Sequence, residues 1–328
     1  MYRSFFKLTR SPFSLTPDPV SFVGTNRHNE ALAALYHGVR QHKGFVVLTG
    51  EVGTGKTLLV RCLLQLLKES KDIAYAYLFN GKLAPTEFLQ YVLSDFGLAV
   101  DGKSKYELLL DLGRFLAARG ARKLTTVLIV DEAHHLSADI LEEVRLLSNL
   151  ETTDDKLLQI VLVGQPELDE KLDSFDLRQL KQRIAVRTQL GALDEIETKQ
   201  YIVQRLQIAG TEPESSPLFS DESVDAVYLY SQGLPRLINT ICENSLIAAY
   251  AERAASVAPE HVLQVAREFR LDASAAHWGR DAVRGEQIDV HHAMKALLDL
   301  FAALKEVASV SHSELPSVVR VSADEPHI

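Results

Sequence analysis

Residues 50–57 of the chain read "GEVGTGKT", a short stretch with three glycines that ends in lysine and threonine. It follows "FVVLTG", which is typical of a buried strand, and it runs into "KTLLVRCLLQLLKES", which has helical spacing. Glycines let backbone N–H groups turn inward around an anion, and a helix that begins there directs the positive end of its dipole at the anion. The stretch therefore predicts a P-loop, or Walker A motif, after a strand and before a helix.

The spacing G-x-x-x-x-G-K-[ST] predicts a role for each end of this loop. Lys56 is expected to reach the β- and γ-phosphates of a nucleotide, and the Thr57 hydroxyl is expected to bind Mg²⁺. ATP and Mg²⁺ are therefore the predicted substrate and cofactor. The predicted ATP-binding residues are Gly50, Glu51, Val52, Gly53, Thr54, Gly55, Lys56 and Thr57.

Two acidic residues follow a second apolar run, "VLIVDE", at residues 127–132. A P-loop enzyme needs a carboxylate at the end of a neighbouring strand to hold its metal ion, so we predict Asp131 as a second Mg²⁺ ligand. Glu132 is predicted to orient and deprotonate the attacking water as the general base. Together these residues predict an Mg²⁺-dependent ATPase.

The letters "DEAHH" at residues 131–135 contain the motif that names a class of RNA helicases. Such a helicase also needs a second RecA-like domain with an arginine-rich motif, and an "SAT" motif after the acidic residues. Here the next strand ends in "VLVGQPEL", and the chain beyond Asp194 shows helical patterns. The sequence therefore argues against a helicase.

Adjacent histidines occur twice, at 134–135 and at 291–292, and they invite a metal-site interpretation. Neighbouring residues on a helix do not face the same side, so neither pair is expected to share an ion. The chain has two cysteines, Cys62 and Cys242, so no disulfide framework or cysteine-based metal site is predicted.

Strand patterns alternate with helical patterns from Phe45 to Leu190. This order predicts an α/β fold, with a five-stranded parallel sheet covered by helices on both faces. The chain beyond Asp194 predicts a small all-α lid domain. The predicted segments are 1–30, an N-terminal loop region; 31–193, the α/β core; 194–271, the helical lid; and 272–328, a polar linker, an amphipathic helix at 288–308 and a disordered tail.

The bulk composition limits the class of protein. The 328 residues carry a formal net charge of −9, which argues against a protein that coats nucleic acid. The N-terminus lacks the apolar run of ~7–15 residues of a signal peptide, and nowhere do ~18 apolar residues follow one another. The expectation is a cytoplasmic protein with no membrane span.

Three further polar residues occur in the order typical of AAA+ proteins. "VLVGQPEL" resembles the first sensor, "DLRQLKQRIAVRTQL" the arginine-finger region and "GLPRLIN" the second sensor. The resemblance implies that Gln165 lies near the γ-phosphate and that Arg236 touches the γ-phosphate of its own subunit. It also implies that Arg183 completes the site of a neighbouring subunit, within a homo-oligomeric ring or filament.

Several longer stretches resemble the ExeA/GspA-type secretion ATPases, which are related to the TniB-type transposition ATPases. They are "PFSLTPDP", "LIVDEAHHLS", "LEEVRLLSNLET" and "KLLQIVLVGQPEL", together with the motifs above, and the resemblance covers roughly residues 5–268. It implies that Asn80 holds Glu132 in an inactive pose, and that residues 18–30 line an adenine pocket. The alternative for that loop is plain packing of Phe22 and Val23.

The sequence departs from the ExeA pattern after the ATPase region. ExeA-type proteins carry a membrane span and a peptidoglycan-binding domain there, and this chain shows neither pattern. In length it resembles shorter relatives that accompany exopolysaccharide and exosortase systems. The cell-wall role is therefore not carried over.

Three functions remain open on the sequence. The first is an ATPase that drives a secretion or surface-polymer export system, peripheral to a membrane complex and acting on an unidentified protein partner. The second is a DNA-binding regulator of the transposition or initiation type, which a basic patch of Arg178, Lys181 and Arg187 would favour. The third is a nucleotide-dependent switch, against which Glu132 argues because a general base implies hydrolysis.

Overall fold

The computed structural model describes residues 1–79, 83–152, 155–211 and 216–271. Asn80 lies outside these residues. The predicted helix at 288–308, the predicted disordered tail and the second histidine pair also lie outside them.

Within the described residues, five parallel strands form one sheet in the order β2-β3-β4-β1-β5. The strands are β1 Phe45–Gly50, β2 Ile73–Leu78, β3 Thr125–Val130, β4 Gln159–Gly164 and β5 Ile184–Leu190. Every residue of β1, β3 and β4 is buried, as expected of central strands that are covered on both faces. The predicted α/β class with a five-stranded parallel sheet is confirmed.

Helices precede the sheet and connect its strands. They are α1 Tyr2–Phe5, α2 Asn26–Arg40, α3 Lys56–Glu69, α4 Pro85–Asp95, α5 Lys105–Gly120, α6 Ala138–Leu147, α7 Pro166–Leu172 and α8 Arg178–Lys181. Local sequence sets their ends: the Ser104 side chain accepts from the Glu107 N–H while the Glu107 carboxylate accepts from the Ser104 N–H. Apolar side chains from α4, α5 and α6 cover one face of the sheet.

Four helices follow the sheet: α9 Glu195–Ile208, α10 Asp221–Ser231, α11 Pro235–Ala251 and α12 Pro259–Glu268. Asp194 caps α9 by accepting from the Glu197 N–H at 2.8 Å. Buried residues of these helices form an apolar core of their own, which includes Ile202, Val227, Ile241 and Val262. None of the helices in the described part of the chain is long and apolar enough to cross a membrane.

The predicted N-terminal loop region, residues 1–30, is not loop throughout. A short helix covers Tyr2–Phe5, and α2 begins at Asn26, where Thr25 caps it. The segment between these helices packs with α9–α12, because Phe13 and Val23 are buried in the same apolar core as residues of those helices. Aromatic and aliphatic side chains in this segment stabilise it by leaving water.

A buried arginine on α9 fixes this N-terminal segment in place. The Arg205 guanidinium on α9 donates to the backbone carbonyls of Pro12 at 2.7 Å, Ser21 at 2.8 Å and Ser14 at 3.3 Å. Three oxygen acceptors compensate the cation for its loss of water. The N-terminal segment and α9 are therefore joined by polar bonds as well as by apolar packing.

Candidate nucleotide-binding site

The carboxyl ends of three neighbouring strands bring the predicted site residues together. β4 lies between β1 and β3, with Thr49 opposite Gly164 and Val130 opposite Leu162. In a parallel sheet the carboxyl ends lie on one edge, where α/β proteins bind ligands. The P-loop after β1, the acidic pair after β3 and Gln165 after β4 therefore share that edge.

The P-loop has the conformation that its glycines predict. Gly53 and Gly55 have φ values of 87° and 102°, in the left-handed region that side chains disfavour. Lys56 begins α3, and its Nζ donates to the carbonyls of Gly50 at 2.7 Å and Glu51 at 2.9 Å. Burial lowers the pKa of Lys56, and the carboxylate of Glu132 opposes that shift. This combination of glycine loop, helix start and buried ammonium fits a nucleotide phosphate.

A buried histidine that the sequence analysis missed is hydrogen-bonded to the P-loop backbone. The His28 Nε2–H donates to the Thr54 carbonyl at 2.9 Å, and Nδ1 lies 2.7 Å from the Thr25 hydroxyl, from which it accepts. Burial lowers the pKa of His28, which favours the neutral ring that these two bonds require. The start of α2 therefore fixes the middle of the loop.

Asp131 is buried at the end of β3 and has several partners. Its Oδ1 accepts from the Glu132 N–H at 2.9 Å, and the nearby Thr57 hydroxyl lowers the pKa of this carboxyl group. Tyr77, on neighbouring β2, donates its hydroxyl to Oδ2 at 3.3 Å. Burial raises the pKa of Asp131. The carboxylate and the Thr57 hydroxyl are oxygen ligands of the kind that Mg²⁺ prefers, so the pair fits the predicted metal.

Glu132 lies next to Gln165 and His134 on the same sheet edge. The Gln165 side-chain N–H₂ donates to the Glu132 carboxylate at 3.5 Å and approaches His134 Nε2 at 3.1 Å. The Nδ1 of His134 lies 3.4 Å from Glu132 Oε2, the oxygen that Gln165 also contacts. Gln165 is placed there because it immediately follows β4 and precedes Pro166, which starts α7. The predicted base and first sensor are therefore in contact.

The expectation that His134 and His135 face different sides is wrong. They lie on a 3₁₀ turn rather than an α-helix, and their ring centroids are 4.0 Å apart. Glu132 turns the chain just before them with a φ of 53°. As a result, one ligand atom from each of Glu132, His134 and His135 lies within 4.8 Å of the others.

Arg236 brings the start of α11 to the P-loop. Its backbone N–H, in the first turn of α11, donates to the Gly53 carbonyl at 3.1 Å. A Cβ on Gly53 would lie 2.9 Å from the Arg236 Cβ, so only glycine permits this approach. The predicted second sensor therefore lies beside the phosphate loop of its own chain.

Arg183 lies at the opposite edge of the sheet. It immediately precedes β5, whose first residue Ile184 pairs with Phe45 at the start of β1. The P-loop follows the other end of β1, about 20 Å away at the usual rise of a strand. In this chain the Arg183 guanidinium donates to the Ser148 hydroxyl at 3.0 Å.

A cavity of about 150 Å³ separates the N-terminal segment from α9. Its walls are Val23, Gly24, Thr25 and Asn26 on one side and Glu197, Gln200, Tyr201 and Gln204 on the other. Phe22 is buried and packs edge-to-face with His28, with ring centroids 6.2 Å apart. The loop therefore both packs and lines a cavity, and the predicted adenine pocket stays a prediction.

The three basic residues considered for DNA have local partners. Lys181 pairs with Asp173 at 2.9 Å, and Arg187 pairs with Asp169 at 3.0 Å. The Arg178 guanidinium stacks over the Phe175 ring at 4.1 Å. Neighbouring carboxylates thus neutralise much of the charge of this patch.

Comparisons with known proteins agree with this arrangement. Residues 39–172, which contain β1–β4, the P-loop and the acidic pair, match the family described as AAA domain. The chain carries an AAA domain. It is also 45% identical to General secretion pathway protein A of Aeromonas hydrophila over 252 residues. These residues make up 76% of this chain and 45% of the length of that protein. The resemblance to GspA-type ATPases is confirmed, and the chain spans less than half of this relative's length.

Solved AAA+ structures share the fold of this AAA protein at low sequence identity. The ORC2 protein of Aeropyrum pernix, in ADPNP–ADP complexes, has a TM-score of 0.59 at 18% identity over 79% of this chain and 71% of its own. Cdc6p of Pyrobaculum aerophilum has a TM-score of 0.59 at 20% identity, over 79% of this chain and 70% of its own. The RuvB Holliday junction branch migration motor of Thermotoga maritima has a TM-score of 0.52 at 18% identity, over 82% of this chain and 74% of its own. The AAA+ fold class is therefore confirmed.

Proposed function

We propose that this AAA protein binds ATP and hydrolyses it with Mg²⁺. The contact of the Glu132 carboxylate with Gln165, on the sheet edge that also carries Lys56, is the observation that supports the proposal most strongly. A base, a cation for the phosphates and a polar side chain between them are the groups that phosphoryl transfer to water needs.

Each residue has a proposed part in the reaction. Lys56 and the P-loop N–H groups hold the phosphates, while Thr57 and Asp131 hold Mg²⁺. The metal neutralises charge that develops on the transferred phosphoryl group. Glu132 orients a water molecule and takes up its proton.

Two further residues are proposed to report which nucleotide is bound. Gln165 contacts Glu132, so movement of its amide toward a γ-phosphate would free the base. Arg236 reaches the P-loop from the lid through its backbone bond to Gly53, so it would couple nucleotide contacts to lid position. The role implied for Asn80 stays a prediction, since that residue lies outside the described ranges.

We also propose that the complete site needs two copies of the chain. Arg183 lies at the edge of the sheet away from its own P-loop, and its proposed target is therefore the site of a neighbouring subunit. A head-to-tail contact of this kind produces a ring or a filament. The Ser148 hydroxyl would hold the guanidinium until that neighbour arrives.

The proposed cellular role is energy coupling in a secretion or surface-polymer export system. Similarity to General secretion pathway protein A supports it. The protein would act in the cytoplasm, at the periphery of a membrane complex and on an unidentified partner. The alternative, a DNA-dependent regulator, is less favoured because Lys181 and Arg187 are paired with carboxylates.

Phosphate release from ATP tests the enzymatic part of the proposal. The wild-type chain should release phosphate only with Mg²⁺, and Lys56→Ala should remove both tight ATP binding and release, because it removes the ammonium that faces the phosphates. Lys68→Ala, on the exposed side of α3, is the matched control and should behave as wild type. Equal turnover in Lys56→Ala and wild type would contradict the proposal.

A further inference from the structure

The turn after β3 combines a carboxylate and two imidazoles in a way that neither Mg²⁺ binding nor ATP hydrolysis requires. The ligand atoms of Glu132, His134 and His135 lie within 4.8 Å of one another. We propose that these three side chains form a site for a first-row transition-metal cation such as Zn²⁺, and that its binding holds the catalytic carboxylate.

The spacing of the donor atoms fits such an ion. Ligand bonds of about 2.0–2.1 Å in a tetrahedral zinc site place two ligand atoms about 3.3 Å apart. The distance from His134 Nδ1 to the Glu132 Oε2 is 3.4 Å. His135 is exposed, and its ring already lies over that of His134, so a small rotation completes a three-residue set with an open fourth position.

The backbone that carries these ligands is held in place. Lys171 on α7 donates to the carbonyls of His134 at 2.6 Å and Leu136 at 2.8 Å, so the middle of the 3₁₀ turn and the residue that ends it are fixed. A Cβ on Gly164 would lie 3.3 Å from the His134 nitrogen, so this glycine lets the turn pack closely against β4. Preorganised ligands lose little conformational entropy when they bind.

The chemistry of the ligands selects the cation. Imidazole suits zinc, nickel and copper, whereas Mg²⁺ prefers oxygen ligands and keeps several waters. The Gln165 backbone N–H donates to His134 Nδ1 at 3.4 Å, a long bond that a metal ion on Nδ1 would replace. The Gln165 side chain lies 3.1 Å from Nε2, and rotation of its amide presents an oxygen to Nε2–H. Ligating histidines almost always have such an outer hydrogen bond. The carboxylates of Glu132 and Glu167 add negative charge near His134.

Binding would have a direct consequence for turnover, and this part rests on the proposed function. A carboxylate oxygen that is bound to a metal ion cannot take up the proton of water. The AAA protein would therefore be inhibited reversibly by transition metals while it still binds Mg²⁺ and ATP through the P-loop and Asp131.

The binding itself is tested without nucleotide, by titrating CoCl₂ and ZnCl₂ into the full chain without a polyhistidine tag. Wild type should bind one ion and give the visible absorption of tetrahedral Co²⁺, which Zn²⁺ then displaces. His135→Asn should weaken the affinity by at least ~100-fold, since even loss of an outer hydrogen bond costs about 10–100-fold. His37→Asn, on α2, is the control and should bind as wild type.

The inhibition is tested by phosphate release at excess Mg²⁺–ATP with added ZnCl₂. Wild type and His37→Asn should lose activity as the site fills, while His135→Asn keeps its activity over the same range. Equal metal affinity in wild type and His135→Asn would overturn the site, whether or not the chain hydrolyses ATP. Equal inhibition of wild type and His135→Asn would overturn the effect on Glu132.

Discussion

Glu132 is a strained residue in the middle of the proposed site. Its φ of 53° places a non-glycine residue in the left-handed region, which costs of order 1–3 kcal/mol. The bond from its N–H to Asp131 and the fixed turn that follows hold it there. In this conformation the carboxylate contacts the Gln165 amide.

A glycine next to the second sensor gives a prediction at this scale. A Cβ on Gly233 would lie 1.9 Å from the Leu193 carbonyl oxygen, and its φ is 71°. We expect Gly233→Ala to lower the free energy of unfolding by about 3 kcal/mol or more, because left-handed strain adds to a clash with backbone. Chemical denaturation of wild type and Gly233→Ala measures this loss of stability.

Gly97 provides the matched control for that measurement. Its φ is 79°, but nothing lies within 4 Å of the position of its Cβ. Gly97→Ala should therefore lower the free energy of unfolding by only about 1 kcal/mol, the cost of placing an alanine in the left-handed region. Equal losses of stability in the two variants would show that the contact between Gly233 and Leu193 is unimportant.

Some site residues can be predicted from sequence and others cannot. Lys56, Thr57 and Asp131 belong to local patterns in which strand, loop and helix follow one another, so the sequence places them. The contact of Tyr77 with Asp131 depends on β2 lying beside β3, and periodicity does not give strand order. The prediction for His134 is wrong because its 3₁₀ turn is too short to leave a pattern.

At the scale of elements, the long helices and buried strands are predictable because each repeats its pattern over several turns or pleats. The short helix α7 does not stand out from loop, since seven residues carry little periodicity. The sequence links the N-terminal segment to the nucleotide pocket, whereas Arg205 and the aromatic residues join it to the lid. A charged residue in a helix is expected to be exposed unless its partners are known.

Arg205 therefore gives a prediction about the N-terminal segment. Arg205→Met should release residues 12–25 and lower the free energy of unfolding by about 3 kcal/mol, since it leaves three carbonyls without their charged donor. Hydrogen exchange should show faster exchange there than in α12. Arg205→Lys should recover only part of the loss, because an ammonium lacks the planar fork. Unchanged exchange in Arg205→Met would contradict this role.

For the whole molecule, the charge distribution predicts weak DNA binding. The net charge is −9, and Lys181 and Arg187 already pair with Asp173 and Asp169. Non-specific binding depends on phosphate contacts that release counterions. Fluorescence anisotropy with a labelled duplex should show no sub-micromolar affinity at physiological salt. Tight, salt-sensitive binding that requires ATP would favour the transposition-type alternative.

The position of Arg183 predicts that activity depends on assembly. Specific activity should rise with protein concentration, and ATP should promote oligomers. A mixture of inactive Lys56→Ala and inactive Arg183→Ala should regain part of the activity, because some interfaces pair an intact P-loop with an intact arginine. An arginine supplied in trans contributes ~10³–10⁵ to turnover in related chemistry. Co-assembly without any return of activity would exclude Arg183 from this role.

Hydrolysis of ATP with Glu132 as the base is the step on which the proposed function depends. Isothermal titration and phosphate release on the same Glu132→Gln sample separate binding from chemistry, with Glu170→Gln, exposed on α7, as the matched control. Glu132→Gln should bind ATP as tightly as wild type and lose at least ~100-fold in turnover, because an amide cannot take up the proton. Turnover in Glu132→Gln equal to that of wild type and of Glu170→Gln would contradict the assignment.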